Sequence, residues 1–310
     1  MIYKMLAKSL QKWDIIGIIA PSKPFKTVKK VELDNFINYM KTQWIQVQLS
    51  KNFYARNKYG FAGWTPQERA DDVNSIFSNN NIKAIWCLQW WEPANQTLDL
   101  IDFENIRKNP KIFIGKSDID VLLLAINKKS NLITFHGCDS KIGSNKELDF
   151  DYTKKWFWKR FFEKSKIIEA CEERICIHKW QCEGKIKGCN ISSILRLAGT
   201  QYFPDFTNSI LFIETYKSNP AKIIVQLTQL KQLWVFEKIK WLVIGNNFWF
   251  QSEEFKVENI IQEFLQNYNL PILKINEFGH YQPHAFLPIG AEIKLDADNK
   301  SIEILEDFLE

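Results

Sequence analysis

The chain reads as α/β: a parallel sheet flanked by helices fills its first half, and a smaller β-rich unit follows. Apolar runs alternate with stretches of helical periodicity as far as about residue 140, the pattern of strands joined by crossover helices. Past that point the apolar segments are short and unevenly spaced. A length of 310 residues also suits two cores better than one, since domains commonly hold about 100–150 residues. The expected division is an N-terminal α/β domain at 1–140, a linker or crossover helix at 141–165 and a C-terminal β-rich domain at 166–310.

Each element has its own signal. Asp14-Ile-Ile-Gly-Ile-Ile-Ala-Pro-Ser22 is a buried strand running into a turn; residues 28–42 have helical spacing, and 45–49 form a second strand. Thr65-Pro-Gln-Glu68 opens a helix to residue 79, with threonine as N-cap, proline at the first helical position and glutamate where it can close a capping box. Strands at 82–88 and 111–115, a helix at 119–127 and a strand at 131–136 complete the first layer. An aromatic-rich helix at 152–164 makes the crossover. Strands at 176–180, 209–214, 241–245 and 291–295 follow, with helices at 192–197 and 220–237.

Composition narrows the function. With 45% hydrophobic and 25% charged residues the chain is that of a soluble globular protein. The net charge of +5 comes without any long like-charged block, so neither nucleic acid nor a membrane surface is an expected partner. Lys154-Lys155 and Lys159-Arg160 read as solvated faces. The apolar run at 15–20 is too short for a signal-peptide core or a membrane span, and a cytoplasmic location is expected. Six cysteines without a CxxC pair fit free thiols in a reducing compartment. Cys171, Cys176, His178 and Cys182 are too irregularly spaced to predict a metal site, and no cofactor is expected.

Three segments carry candidate chemistry. In Gly115-Lys-Ser-Asp118 an apolar strand turns sharply into an apolar helix, a corner that exposes Ser117 and aims backbone N–H groups beside it. The same corner is also where a serine serves as an N-cap. Glu214 closes the run Ser-Ile-Leu-Phe-Ile-Glu, either as a strand end reaching solvent or as an acid that orients a histidine. Phe278-Gly-His-Tyr-Gln-Pro-His284 places two of the four histidines, His280 and His284, in one loop. The order Ser…Glu…His suits the proton-transfer logic of a serine hydrolase.

These segments, taken in order, resemble the LD-carboxypeptidase and microcin-immunity peptidase family over nearly the whole chain. Asp14 to Ser22 is similar to its opening strand, Glu68-Arg-Ala-Asp-Asp-Val73 to its first helix signature, and Asn109-Pro-Lys-Ile-Phe-Ile-Gly-Lys-Ser-Asp-Ile119 to its nucleophile segment. Leu195-Arg-Leu-Ala-Gly-Thr200, Ile210-Leu-Phe-Ile-Glu214 and Gly279-His280 with Leu287-Pro-Ile-Gly290 resemble its later motifs. The resemblance implies a flavodoxin-like N-terminal domain, a homodimer, no metal, and a Ser117–Glu214–His280 triad. It further implies cleavage of the amide to a terminal D-amino acid in muropeptides, or of a toxic peptidyl-nucleotide amide in the immunity branch. Backbone N–H groups of Asp118 and of the loop after Leu88, at Trp90 and Trp91, would receive the oxyanion.

That loop departs from the family, which has two glycines where this chain has Trp90-Trp91. Trp13, Trp44, Trp234 and Trp241 also stand where the family has glycine. The chain holds 12 glycines and 12 tryptophans, whereas average usage of about 7% would give about 22 glycines. Two readings follow: the gene reads UGA as glycine and has been translated with UGA as tryptophan, or the protein is a tryptophan-rich inactive binding homologue.

Overall fold

The computed structural model describes residues 4–23, 30–56, 65–88, 93–138, 147–178, 181–296 and 298–310. The first half gives β1 (Ile15–Ile19), α1 (Lys30–Thr42), β2 (Gln46–Leu49), α2 (Pro66–Ser78), β3 (Ile82–Cys87), α3 (Phe103–Lys108), β4 (Ile112–Gly115), α4 (Asp120–Ser130) and β5 (Thr134–His136). After α5 (Asp151–Phe161) come β6 (Ile175–His178), β7 (Gln181–Asn190), α6 (Ile191–Arg196), β8 (Ile210–Tyr216), α7 (Pro220–Gln232) and β9 (Trp241–Phe248). The chain ends with α8 (Val257–Phe264), β10 (Ile272–Gly279), β11 (Leu287–Ile289), β12 (Glu292–Asp296) and β13 (Ser301–Ile304).

The first sheet has the order β11-β5-β4-β3-β1-β2, all parallel but for β11. The central strands β1, β3 and β4 are buried on both faces, as in a sheet covered by helices, whereas the edge strand β2 alternates Gln with apolar residues and is half exposed. The predicted start of α2 is realised: Thr65 caps it, accepting from the Glu68 N–H at 3.2 Å, and Glu68 bonds back to the Thr65 N–H. The same turn carries buried Arg69, whose Nη1 donates to Pro21 O at 2.9 Å and Pro93 O at 3.1 Å. One guanidinium thus holds the turn after β1 and the far end of the segment that contains Trp90 and Trp91.

The second sheet runs β13-β12-β7-β8-β9-β10-β6, and its centre, β7 to β10, is parallel. The second unit is therefore strand-rich, as expected, but built around its own βαβ crossovers. Leu287-Pro-Ile289, assigned by sequence to this unit, instead joins the first sheet antiparallel to β5, Leu287 facing His136. Arg160 corrects another expectation. It is fully buried and donates to the Ser165 and Ala285 carbonyls, whereas Lys155 and Lys159 meet Glu169 at 2.7 and 2.8 Å on the surface.

The tryptophans fall into two groups. Trp13, Trp44, Trp234 and Trp249 have φ of 76°, 63°, 59° and 56°, a left-handed conformation that costs a non-glycine residue about 1–3 kcal/mol. Trp241, expected at a glycine turn, does not belong with them. It opens β9 opposite Ile210 and is completely buried, in extended backbone that any residue adopts.

Candidate active site

Both sheets are parallel at their centres, so the segments after their carboxyl ends gather at the crevice between them. Ser117 follows β4 at that end. Its φ of 61° is left-handed, the strained strand-to-helix corner that lifts a serine hydroxyl out of the sheet. Gly115 makes the corner possible: a Cβ there would meet Ile119 Cγ2 at 2.4 Å. Ser193 Oγ donates to the Ser117 carbonyl at 2.7 Å, tying the corner to α6 of the other unit. Asp118 lies buried in the first turn. Its Oδ2 accepts from Ser22 Oγ at 2.5 Å and the Ala94 N–H at 2.7 Å, and its Oδ1 pairs with Arg196.

Glu214 does not reach solvent. It lies on β8, completely buried, and its Oε1 is 3.2 Å from His280 Nδ1. Burial pushes the Glu214 carboxyl up, but the adjoining His280 ring outweighs it and holds the group below its usual range. His280 follows β10 immediately after Gly279, whose φ of 151° and close approach to Asn246 O, 2.5 Å from where a Cβ would stand, admit only glycine without strain. Lys116 Nζ donates to the His280 carbonyl at 2.9 Å, fixing the histidine loop to the residue before Ser117. The Tyr216 ring stacks on the His280 ring at 4.1 Å between centroids.

Ser117 and His280 line one cleft of about 410 Å³. Asn190, Arg196, Lys217 and Lys222 bring polar and cationic groups to it, and Tyr216, Phe248 and Tyr281 form an aromatic wall in which Phe248 and Tyr281 stack at 4.3 Å. His284 stands apart from this surface. It is fully buried, its N–H donates to Thr153 Oγ1 at 3.0 Å, and burial followed by the charges of Lys116 and His280 pushes its imidazole well down. Trp90 and Trp91 lie outside the described residues.

The family model described as the LD-carboxypeptidase N-terminal domain matches residues 16–137, and the one for the LD-carboxypeptidase C-terminal domain matches residues 183–295. The chain belongs to the LD-carboxypeptidase family. It is 28% identical to the probable murein peptide carboxypeptidase of Bacillus subtilis (strain 168) over 96% of this chain and 93% of that one. With the microcin C7 self-immunity protein MccF of Escherichia coli it shares 27% identity over 99% and 97% of the two chains. The crystal structure of an MccF-like protein from Bacillus anthracis str. Ames matches with a TM-score of 0.86 at 27% identity, covering 97% of this chain and 99% of that one. The muramoyltetrapeptide carboxypeptidase from Oxalobacter formigenes has the same fold, with a TM-score of 0.80 at 22% identity over 93% and 98% of the chains.

In this LD-carboxypeptidase family chain, several cleft residues escaped the sequence reading. Tyr216 had a usable signal, since residues two apart on a strand share a face and Glu214 was already a candidate. Arg196 sits within the segment 195–200 that resembles a family motif, though nothing there singled it out, and Lys217 and Phe248 had no signal. Lys217 and Phe248 are ordinary surface and strand residues until the two sheets meet. Among the described residues no helix is long and apolar enough to cross a membrane, and no disulfide joins any of the cysteines.

Proposed function

We propose that the protein is a serine carboxypeptidase that hydrolyses the amide to a terminal D-amino acid in cytoplasmic muropeptides, with Ser117 as nucleophile, His280 as base and Glu214 as the orienting acid. The observation that carries this reading is the contact between Glu214 Oε1 and His280 Nδ1 at 3.2 Å, beside a left-handed serine in the same cleft. With Nδ1–H held by Glu214, Nε2 is left to accept the serine proton as Oγ attacks the scissile carbonyl. The imidazolium that forms is stabilised by the buried carboxylate and then protonates the leaving amine. The Asp118 N–H and the segment after Leu88 receive the oxyanion. Water then attacks the acyl-enzyme with His280 again as base. Arg196, Lys217 and Lys222 give the cleft the positive charge that a substrate with a free terminal carboxylate needs.

A second reading, cleavage of a toxic peptidyl-nucleotide amide, draws support from the aromatic wall of Tyr216, Phe248 and Tyr281 along the cleft, a lining suited to a nucleobase. Turnover of a muropeptide tetrapeptide and of an aminoacyl-sulfamoyl-adenylate, measured side by side, separates the two. Release of the terminal D-amino acid with the adenylate left intact is the expected result. Hydrolysis of the adenylate alone would move the protein to the immunity branch.

A further inference from the structure

Behind Glu214, on the side away from His280, three polar groups meet out of reach of solvent. Asp120, His136 and Glu214 are all completely buried, and one atom of each lies within 4.8 Å of the others. His136 Nε2 stands 3.7 Å from Asp120 Oδ1. That oxygen, both nitrogens of His136 and Glu214 Oε2 have no hydrogen-bond partner. The remaining oxygens are occupied: Asp120 Oδ2 accepts from the Asn190 N–H at 3.0 Å, and Glu214 Oε1 faces His280. Two buried carboxylates this close repel each other, and burial disfavours charge on both, so a single shared negative charge is the favoured state. Lys116 Nζ donates to the His280 carbonyl. Burial pushes His136 down to about 3, so it is neutral, while burial and then the Glu214 charge push the Asp120 carboxyl well up.

Building on the proposed triad, we propose that Asp120 is a positioning residue: as a neutral acid, with His136, it holds the far side of Glu214 so that the one buried negative charge stays opposite His280. Asp120 lies three residues after Ser117, so this cluster brings the start of the nucleophile's helix up to the strand that carries the acid. The ionisable groups around the contact are Glu214, His136, Cys189, Lys116, His280 and His284.

Infrared difference spectra of the full chain test the proton directly, whether or not the chain turns over. At pH 7 the wild type should show a protonated-carboxyl C=O band that Asp120→Asn removes; a spectrum without that band overturns the proposal. Kinetics are read in the Trp90→Gly/Trp91→Gly chain. Asp120→Asn should keep turnover within about fivefold and leave the acid limb of kcat/KM in place, whereas Asp120→Ala should lower kcat at least tenfold with KM little changed. If Asp120 were ionised, Asp120→Asn would remove a negative charge near His280, lower the imidazole's proton affinity and move that limb to lower pH. That shift, or an Ala variant with unchanged kcat, sinks the proposal. Loss of all activity in Ser117→Ala tests the triad itself.

A different observation carries a second inference. Four of the eight tryptophans among the described residues (Trp13, Trp44, Trp234 and Trp249) have left-handed backbone, and all four are between 50% and 65% exposed. The other four, Trp86, Trp156, Trp158 and Trp241, have no positive φ, and three of them are completely buried. A bulky residue with positive φ is an outlier wherever it occurs. The local hydrogen bonds say which residue belongs there. After α1, Ile45 N–H donates to Met40 O at 2.9 Å and Trp44 N–H to Lys41 O at 3.1 Å; after α7, Val235 N–H donates to Leu230 O at 3.1 Å and Trp234 N–H to Lys231 O at 2.9 Å. Both are Schellman motifs with tryptophan at the position that glycine normally takes. Trp13 and Trp44 touch edge to face at 4.8 Å, yet both rings stay half exposed.

The geometry points to glycine at positions 13, 44, 234 and 249 of the functional protein, encoded by UGA in a lineage that reads this codon as glycine. The codons at these four positions should be UGA and that at Trp86 UGG, and peptide mass spectrometry of the protein from its own source should find glycine at the four sites. Expressed from the natural gene in a standard-code host, the chain should stop after Lys12. Replacing the four tryptophans by glycine should raise the denaturation midpoint, whereas Trp86→Gly should lower it. UGG codons at the four positions, or indole mass in the native peptides, overturn the inference.

Discussion

Changing Trp90 and Trp91 together to glycine should raise turnover of a D-amino-acid-terminated peptide at least about a hundredfold over the chain as written. Removing one oxyanion donor costs an acyl-transfer enzyme about 100–1000-fold, and two indoles in the segment that should supply the donor add bulk where the substrate carbonyl must enter. The ends of that segment are held firmly. Leu88 N–H donates to Ile19 O at 2.8 Å, and Pro93 O accepts from Arg69. Unchanged activity of the double variant, together with UGG codons at both positions, would leave the inactive binding homologue as the better description.

The second large effect separates the two histidines. His280→Ala in the glycine-restored chain should cut kcat by about 10⁴–10⁶, the range seen when a triad member is removed from a serine hydrolase. His284→Ala should reduce kcat far less and act mainly on stability. The reason is positional. The His280 ring meets a carboxylate and lines the cleft, whereas His284 is sealed behind it, bonded through its backbone to Thr153 and kept neutral by burial. Comparing kcat and thermal midpoint of both variants checks this. The reverse ranking would mean that the base has been assigned to the wrong residue.

What could be read from the chain depended on whether a residue's meaning is local. The Ser117 corner was legible because a strand, a glycine and a helix start lie within a few consecutive residues, and the α2 cap was legible for the same reason. Glu214 could be named as a candidate, but its burial could not, since an acid ending an apolar run fits a solvent-facing strand end equally well. Only the arrival of β10 beside β9 puts His280 next to it. β7 and β10 themselves were hidden. Gln181-Cys-Glu-Gly-Lys-Ile-Lys-Gly-Cys-Asn190 alternates too weakly to announce a strand, and β10 carries Lys274, Asn276 and Glu277 on an otherwise apolar run. Nothing in the sequence distinguishes Asp120 from any acid in the first turn of a helix; the proposed role arises only where Asp120 and Glu214 come together.

The antiparallel pairing of β11 with β5 also has a consequence during synthesis. Thr134–His136 is complete long before Leu287–Ile289 leaves the ribosome, so the first sheet spends that interval with a bare edge. At about 5–20 residues per second the gap between these segments amounts to about 8–30 seconds. Throughout it, the β5 edge offers unpaired backbone groups to any neighbouring chain. A nascent chain stalled before residue 287 should accordingly bind chaperones and aggregate more readily than the finished protein, even though every other strand of its first sheet is already present.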